Sequence, residues 1–463
     1  MTVHSQRFDA VVVGAGTTGA AAAGMLARGG LAVALVERRR LEHAGARWVN
    51  DVPPWLFDSA RVARPAGIEK QCDREPIALF GNGARTSVRL TRPMWGVDCR
   101  ALGDRLRQEA LGAGVTAFER AEVEACEVTA GRVVAVALTE RTEHGLLPRQ
   151  LRLEARLFID ASGVAGALRK RLAALGSWPE PTQDELASAA QQVCTVASAP
   201  GARAFLGRYG ARPGEVVSRT GLDSGYSTLA VRVEPGLGRV ELLSGIGCSA
   251  GRTAGPDMLR RLKASEPWIG AMEYGGAGLI PIRRPYDRLV TPGFALVGDA
   301  ACQAFPAHGS GVGAGLVAAR MLADAVVHSP DPGRLEALWR YASRFQRELG
   351  GVHAGYDVLR RFTVGLAPED VRALVDDGVL SPPLVLSGMD QRMPALDLGE
   401  LVPALRGALR WPRLAAALFA HAPRLFAARA AYLAYPATPG EGALAAWARF
   451  AAGAAGHAAD VRG

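Results

Sequence analysis

The period of the apolar positions changes along the chain, and each change marks an element. Residues Ala10 to Val13 are an unbroken run of small or β-branched apolar side chains, the pattern of a buried parallel strand. Thr17 to Arg28 is alanine-rich and suits a helix. Leu31 to Val36 predicts a second buried strand, ending at Glu37. Helical spacing returns over Ala101 to Ala113, with Leu102, Leu106 and Leu111 at the buried positions. Val115 to Leu138 alternates like short strands around a turn at Gly131. Leu157 to Ile159 is another buried strand and runs into Asp160. From about Gln191 to Gly247 the pattern is mostly strands and turns, Tyr226 to Val233 and Arg239 to Ile246 among them. That predicts a separate antiparallel sheet. Phe294 to Val297 reads as one more strand and Gly311 to Val327 as a long Gly/Ala helix. From Asp331 onward the chain reads as almost entirely helical, with the turn-rich segment Pro436 to Gly440 joining the last helix to the rest.

Between the first strand and the first helix stand Gly14, Gly16 and Gly19, spaced G-x-G-x-x-G, with Thr18 inside the motif. The first glycine makes the tight turn, the second lets a pyrophosphate approach the backbone, and the third lets the helix pack close to the strand. Free N–H groups and the positive dipole end of the helix would face the phosphates. Glu37 follows at about the spacing that suits hydrogen bonds to an adenosine ribose. The adenosine half of a dinucleotide is therefore expected here. Arg38, Arg39 and Arg40 come next; they read as a solvated charge run that would also suit a 2′-phosphate. This stretch alone does not choose between NAD and FAD.

Composition narrows the class. A chain of 463 residues suits two or three subdomains. The net charge of +9 offsets a bound diphosphate or favours an anionic surface. Only Lys70, Lys170 and Lys263 are lysines, an arginine bias that carries little functional weight. The six cysteines form no C-x-x-C pair, which argues against a zinc site or disulfide framework and fits a reducing cytoplasm. MTVHSQRFDA contains no apolar signal region, and no apolar stretch is long enough for a membrane span. Nothing points to nucleic acid.

Four stretches in this order carry a resemblance: GAGTTG with Glu37, VDCRALGDRLRQEALGAG at 97–114, FIDASG at 158–163, and LVGDAACQAFPAHGSGVGAGL at 296–316. Over roughly residues 8–330 the chain resembles the FAD-dependent superfamily of para-hydroxybenzoate hydroxylase-like monooxygenases, geranylgeranyl reductases and flavin-dependent halogenases. A nicotinamide enzyme needs none of the last three stretches, so FAD is the expected cofactor. The implied fold is α/β: a three-layer Rossmann-type FAD-binding domain, an inserted mainly antiparallel β substrate domain, and a helical C-terminal region. The FAD-binding domain is expected to be discontinuous over 1–48, 96–175 and 285–330, the substrate domain to comprise 49–95 and 176–284, and the helical region 331–463. By the same resemblance Arg100 pairs with a phosphate, Asp160 ends a strand beside the cofactor, and Asp299 binds a ribityl hydroxyl. Gly298, Gly309, Gly311 and Val312 frame a loop whose backbone N–H groups would hold the pyrimidine edge of the flavin. Arg38 and Val123 complete the expected cofactor set.

Three reactions compete. Hydroxylation of an organic substrate, aromatic ones included, through a flavin hydroperoxide is placed first, on the DASG form of the middle motif. Saturation of carbon–carbon double bonds in an isoprenoid lipid, as in geranylgeranyl reductases, is second; PAHGSGVGAG resembles their flavin loop. Halogenation is third, because SGYSTLAVRV lacks the W-x-W-x-I-P of halogenases and Lys70 lacks their lysine context. A flavin-binding protein without catalysis is the non-enzymatic alternative. His308, inside the loop, is the candidate proton relay, with Pro306 and Tyr226 beside it; each also has a bland reading as loop or strand filler. Cys302 reads as small core filler, and Trp48, Asn50 and Trp55 as either a wall over the flavin or a satellite cluster. No second G-x-G-x-x-G follows a strand, so electrons are expected from transiently bound NAD(P)H or from an electron-donor flavin or protein. The substrate is a small molecule or lipid, free or bound to a carrier or peptide. In LVPALRGALRWPRLAAALFAHAPRLFAARAAYLAY, Arg406, Arg410 and Arg413 share one helical face. That basic amphipathic stretch reads as a cap on the core with solvated arginines, or as a peripheral membrane contact.

Overall fold

The computed structural model describes residues 4–70, 77–80, 88–91, 93–141, 148–223, 225–248, 253–377, 379, 382–394 and 409–461. Arg406 and Cys72 lie outside the described residues.

The strand Ala10–Val13 is fully buried and forms where the apolar run predicted it. It pairs in parallel with Val33–Glu37 on one side and Leu157–Asp160 on the other. Thr116–Glu119 and Phe294–Leu296 extend this sheet in parallel, and Val290–Thr291 closes it as an antiparallel hairpin arm. The second strand begins at Val33, two residues later than the apolar pattern suggests, because Gly29–Gly30 and Leu31 close the preceding helix. Helices α1 (Thr17–Arg28), α3 (Cys99–Gly112) and α6 (Val312–Val326) pack together against this sheet, and the short helix α2 (Pro54–Ala60) packs on α6. A four-stranded sheet of His4–Arg7, Arg149–Glu154, Arg132–Glu140 and Ala121–Thr129 supplies the third layer. Apolar side chains from all three layers share one core, including Val11, Leu106, Val136, Phe158 and Leu316.

A second sheet has seven strands. Its order is Ile269–Pro281, Leu186–Val196, Arg239–Gly247, Ser227–Val233, Val216–Thr220, Ile77–Phe80 and Val88–Thr91. All neighbours are antiparallel except Val216–Thr220 with Ile77–Phe80. The alternation expected of a two-faced sheet is present. Leu229, Val231 and Val233 enter a core with Val240, Leu242 and Ile246. Thr228, Ala230 and Arg232 point the other way, into a cavity.

Two helices pack on the core face of this sheet, α4 (Ala199–Arg208) and α5 (Gly255–Ser265). Helix α4 adds an element to a stretch, 191 to 247, that reads as mostly strands and turns. Its Pro200 and Gly201 read as a turn, but Ser198 accepts the Gly201 N–H and caps a helix whose second residue is that proline.

The remainder is helical, as the sequence predicts: α7 (Leu335–Phe345), α8 (Gly351–Val364), α9 (Pro368–Asp376), α10 (Pro382–Met389), α11 (Pro412–Leu433) and α12 (Glu441–Ala455). Between α11 and α12 the turn at 436–440 stands where it was expected. Among the described residues no helix is long and apolar enough to cross a membrane.

His353 of α8 is buried, with Nδ1 2.9 Å from the Leu349 carbonyl and Nε2 3.2 Å from that of Gln303. Burial pushes its pKa down to about 4, against the two carbonyl contacts. The unfolded chain, with an ordinary histidine pKa near 6.5, therefore binds the proton first. Stability is full above about pH 6.5 and falls as pH drops toward 4, by about 3 kcal/mol at most from this group. Denaturation midpoints measured across that range should show the loss, and His353→Gln should flatten it.

Candidate functional site

Gly14 turns the chain with φ +105°. A Cβ there would lie 2.4 Å from the Ala161 carbonyl oxygen, so this turn and the one after Asp160 touch backbone to backbone. A Cβ on Gly19 would lie 1.8 Å from the Gly14 carbonyl oxygen, which explains why the helix can start so close to the strand. Gly16 differs. A Cβ there would meet only the Gly45 Cα, at 3.6 Å, and so would project into open space at the start of α1. The first N–H groups of that helix have no partner within it.

Glu37 is buried at the end of its strand. Its carboxylate accepts the Ala15 N–H and the Arg39 N–H, each at 3.0 Å. Arg38 is exposed. Arg107, which the sequence did not single out, is buried behind the glycine turn and donates to the carbonyls of Ala15 at 3.0 Å and Ala44 at 3.3 Å. Only its place on the buried face of α3 signalled it. Arg100 lies in the first turn of α3; its guanidinium bonds the capping Asp98 at 2.7 Å and stacks 3.4 Å above the Tyr274 ring. Val123 has its side chain in the core.

Asp160 is fully buried, and the protein itself satisfies its carboxylate. It accepts from Ser162 N at 3.0 Å, Ser162 Oγ at 2.6 Å, Leu168 N at 2.9 Å and Arg169 N at 2.8 Å. Its side chain therefore organises the turn that meets Gly14, and does not present an oxygen to the crevice.

Asp299 is the opposite case. It stands in the 3-10 turn Gly298–Ala301 after the strand Phe294–Leu296, and among the described residues no donor reaches its carboxylate. Burial alone pushes its pKa up to about 6. A Cβ on Gly311, the residue before α6, would lie 2.7 Å from Asp299 Oδ1. Thr18 is closed in by two glycines: a Cβ on Gly298 would lie 3.2 Å from its Oγ1 and one on Gly315 2.1 Å. Val312 opens α6 and is buried. Cys302 is buried, and that burial raises its thiol to about 12, as fits core filler.

The loop between that turn and α6 is tied from two sides. Tyr226 Oη donates to the Pro306 carbonyl at 2.8 Å, and burial raises the phenol pKa, so it stays a donor. Ser310 Oγ donates to the Asp51 carbonyl at 2.9 Å and lies against the Asn50 side chain. Gly309 takes φ +74°, which lets the loop return toward the helix. His308 is exposed toward the cavity, its ring 4.9 Å from that of Phe305, and its Nδ1 accepts the Ser310 N–H at 3.2 Å.

This loop walls one side of a cavity of about 460 Å³. The inner face of the seven-stranded sheet walls another, and α9 and α10 contribute Val371, Leu374 and Leu384. Most lining side chains are apolar or small, among them Ala187, Ala189, Ala230, Leu243 and Ile280. Trp48 also lines it and lies on Gly276 and Gly278 of the sheet, where any side chain would press on the indole. Trp55 stands apart, donating to the Asp390 carbonyl at 3.0 Å. Lys70 Nζ sits 4.2 Å over the Trp95 ring, outside the cavity lining. One ion pair interrupts the apolar wall: Arg232 to Glu241 at 2.7 Å, both buried. It lies about 13 Å along the strand from Thr228.

These residues fit a flavin dinucleotide. The open space at Gly16 admits a diphosphate, the carboxylate of Asp299 lacks a donor that a ribityl hydroxyl would provide, and the loop 305–311 delivers N–H groups of α6 toward the cavity. The model of the FAD binding domain family matches residues 7–177. The digeranylgeranylglycerophospholipid reductase of Sulfolobus acidocaldarius is 22% identical over 438 residues, 93% of this chain and 94% of its own. Residues 7–177 thus carry the FAD binding domain found in the FAD-dependent oxidoreductase superfamily. Among solved structures of this superfamily, the geranylgeranyl bacteriochlorophyll reductase-like protein of Thermoplasma acidophilum superposes with a TM-score of 0.67 at 16% identity, over 90% of this chain and 100% of that one. Pseudomonas aeruginosa PqsL superposes with a TM-score of 0.57 at 17% identity, over 80% of this chain and 100% of its own. At those identities the likeness speaks for the fold. FAD is the cofactor of this oxidoreductase, and the Rossmann-type layer, antiparallel sheet and helical C-terminal region are those expected of it.

Proposed function

We propose that this flavoprotein saturates carbon–carbon double bonds of a long apolar, isoprenoid-type substrate. The observation that carries the reading is the cavity: about 460 Å³, apolar over most of its wall, and closed on one side by the flavin-loop residues His308 to Ser310. The likeness to a phospholipid reductase along nearly the whole chain supports it. Hydroxylation, the first choice on motifs, drops behind reduction for these two reasons.

FAD, once reduced, would supply the hydride and end oxidised, and NAD(P)H or an electron-donor protein would reduce it again. The protein supplies placement and protons. Gly14, Gly16, Thr18, Gly19 and Glu37 would hold the adenosine diphosphate half, with Asp299 and Gly311 at the ribityl chain. His308 Nδ1 accepts a backbone N–H, so the neutral ring carries its proton on Nε2 and can deliver it to the substrate carbon. Tyr226 positions the loop through Pro306. Tyr226→Phe removes one hydrogen bond of about 1 kcal/mol. Turnover should fall a few-fold while the melting temperature moves by no more than about 2 °C.

Anaerobic mixing of the reduced holoenzyme with a geranylgeranyl ether lipid tests the reading. Return of the oxidised-flavin absorbance is expected. A flavin that stays reduced with such lipids, yet yields a hydroxylated aromatic product when oxygen is admitted, would overturn it in favour of monooxygenation.

A further inference from the structure

Helix α11 shows solvent an apolar face. Phe419, Phe426 and Leu433 recur every seventh residue and are 60%, 37% and 57% exposed. The exposed positions between them are Ala420, Pro423, Arg424, Ala427 and Ala430, so the one polar side chain among them is Arg424, at the edge of the stripe. The opposite face is spent on the protein: Leu425, Ala428 and Tyr432 are buried in the contact with α8. A surface helix of a globular domain normally turns charged residues outward on that side. Here the charges stand at the border of the stripe, and they are arginines. Arg413 and Arg424 are exposed, and residues 409–433 include no Asp or Glu.

We propose that this face of α11 docks on an anionic lipid bilayer. The helix would lie in the interface, its phenylalanines in the acyl boundary and its arginines at the headgroups. Charge selects this occupant over a second copy of the chain, because paired α11 stripes would bring arginines together with no acidic residue of the helix between them. The net charge of +9 acts in the same direction. Placement gives the docking a use. Leu414 and Leu418 near the start of α11 pack on Ala373 and Leu374 of α9, and Leu374 lines the cavity. The helix that meets the bilayer is thus braced on the helix that walls the substrate space. The inference rests on the helix face and holds whichever reaction the flavin performs.

Co-sedimentation of the full-length holoenzyme with vesicles tests it. Binding is expected to vesicles of phosphatidylcholine with phosphatidylglycerol, and should be at least roughly tenfold weaker to phosphatidylcholine alone or at high salt. Phe419→Glu with Phe426→Glu should abolish binding with the bound-flavin content unchanged. Arg413→Gln with Arg424→Gln, which leaves the apolar face intact, should weaken binding to the anionic vesicles. Three results would overturn the proposal: a wild-type protein that stays in the supernatant with anionic vesicles, binding indifferent to the two phenylalanines, or a wild-type dimer by sedimentation velocity that the phenylalanine substitutions dissociate.

Discussion

Replacing Asp460 by alanine is expected to destabilise the fold by about 3–5 kcal/mol. The carboxylate sits in a buried cluster and accepts two hydrogen bonds from Arg283 Nη2, at 2.7 and 2.8 Å. Arg284 lies 3.5 Å away and is also paired with Asp287, and the Asp287 N–H donates to Asp460 at 3.2 Å. All four residues are buried. Burial pushes the Asp460 pKa up, but the two guanidinium charges outweigh it and hold the carboxyl below its usual range. Without that carboxylate Arg284 keeps Asp287, while buried Arg283 keeps only the partly exposed Glu185, 3.5 Å away. The cluster also joins the segment after α12 to residues 283–288, beside the flavin-loop turn, so the loss spreads to the site. A pKa depressed in the folded state means that the stability from Asp460 is present above the unfolded value near 3.9 and disappears as pH falls through the folded one. Urea denaturation of the purified variant at neutral pH checks the prediction. A loss under about 1 kcal/mol would show that the cluster is not the clamp described here.

The second large effect falls on the cofactor. Gly16→Val should weaken FAD binding by roughly a hundredfold or more, equivalent to about 3 kcal/mol, while the apoprotein melts as the wild type does. The added side chain finds no protein atom closer than the Gly45 Cα at 3.6 Å, and Gly16 has an extended backbone that valine tolerates. It therefore takes only the space that a diphosphate needs. Gly14→Ala is the contrasting substitution. It strains φ +105° and meets the Ala161 carbonyl, so it should cost folding as well as flavin. Flavin released on heat denaturation, compared with circular dichroism melts of the apoproteins, separates the two.

Local rules carried the Rossmann part far. Thr17–Arg28 forms as a helix over the residues its alanine pattern marks, and Ala10–Val13 as a strand, because both elements are buried and their periodicity is undiluted. Asp299 was legible as a carboxylate at a strand end before a glycine-rich loop. Asp160 was equally legible as such, but its donors come from Ser162, Leu168 and Arg169, and no local pattern shows that the chain folds back to satisfy it. Arg107 behind the glycine turn and the Gln191 side chain that receives the Val49 N–H were missed for the same reason, since each partner is more than sixty residues or a whole sheet away. Helix α4 was hidden by a proline and a glycine that serve its first turn. That the antiparallel sheet walls the substrate space was expected, but the cavity's shape was not legible, because it depends on which faces of six strands meet the loop at 305–310.

We propose that this flavin chemistry reduces carbon–carbon double bonds rather than inserting oxygen. Mass spectrometry of a geranylgeranyl ether lipid after turnover with the reduced holoenzyme tests it most directly. A gain of two hydrogens per reduced double bond, undiminished without oxygen, is the predicted result. An unchanged lipid, together with oxygen-dependent gain of one oxygen atom in any substrate that the enzyme does accept, would contradict it.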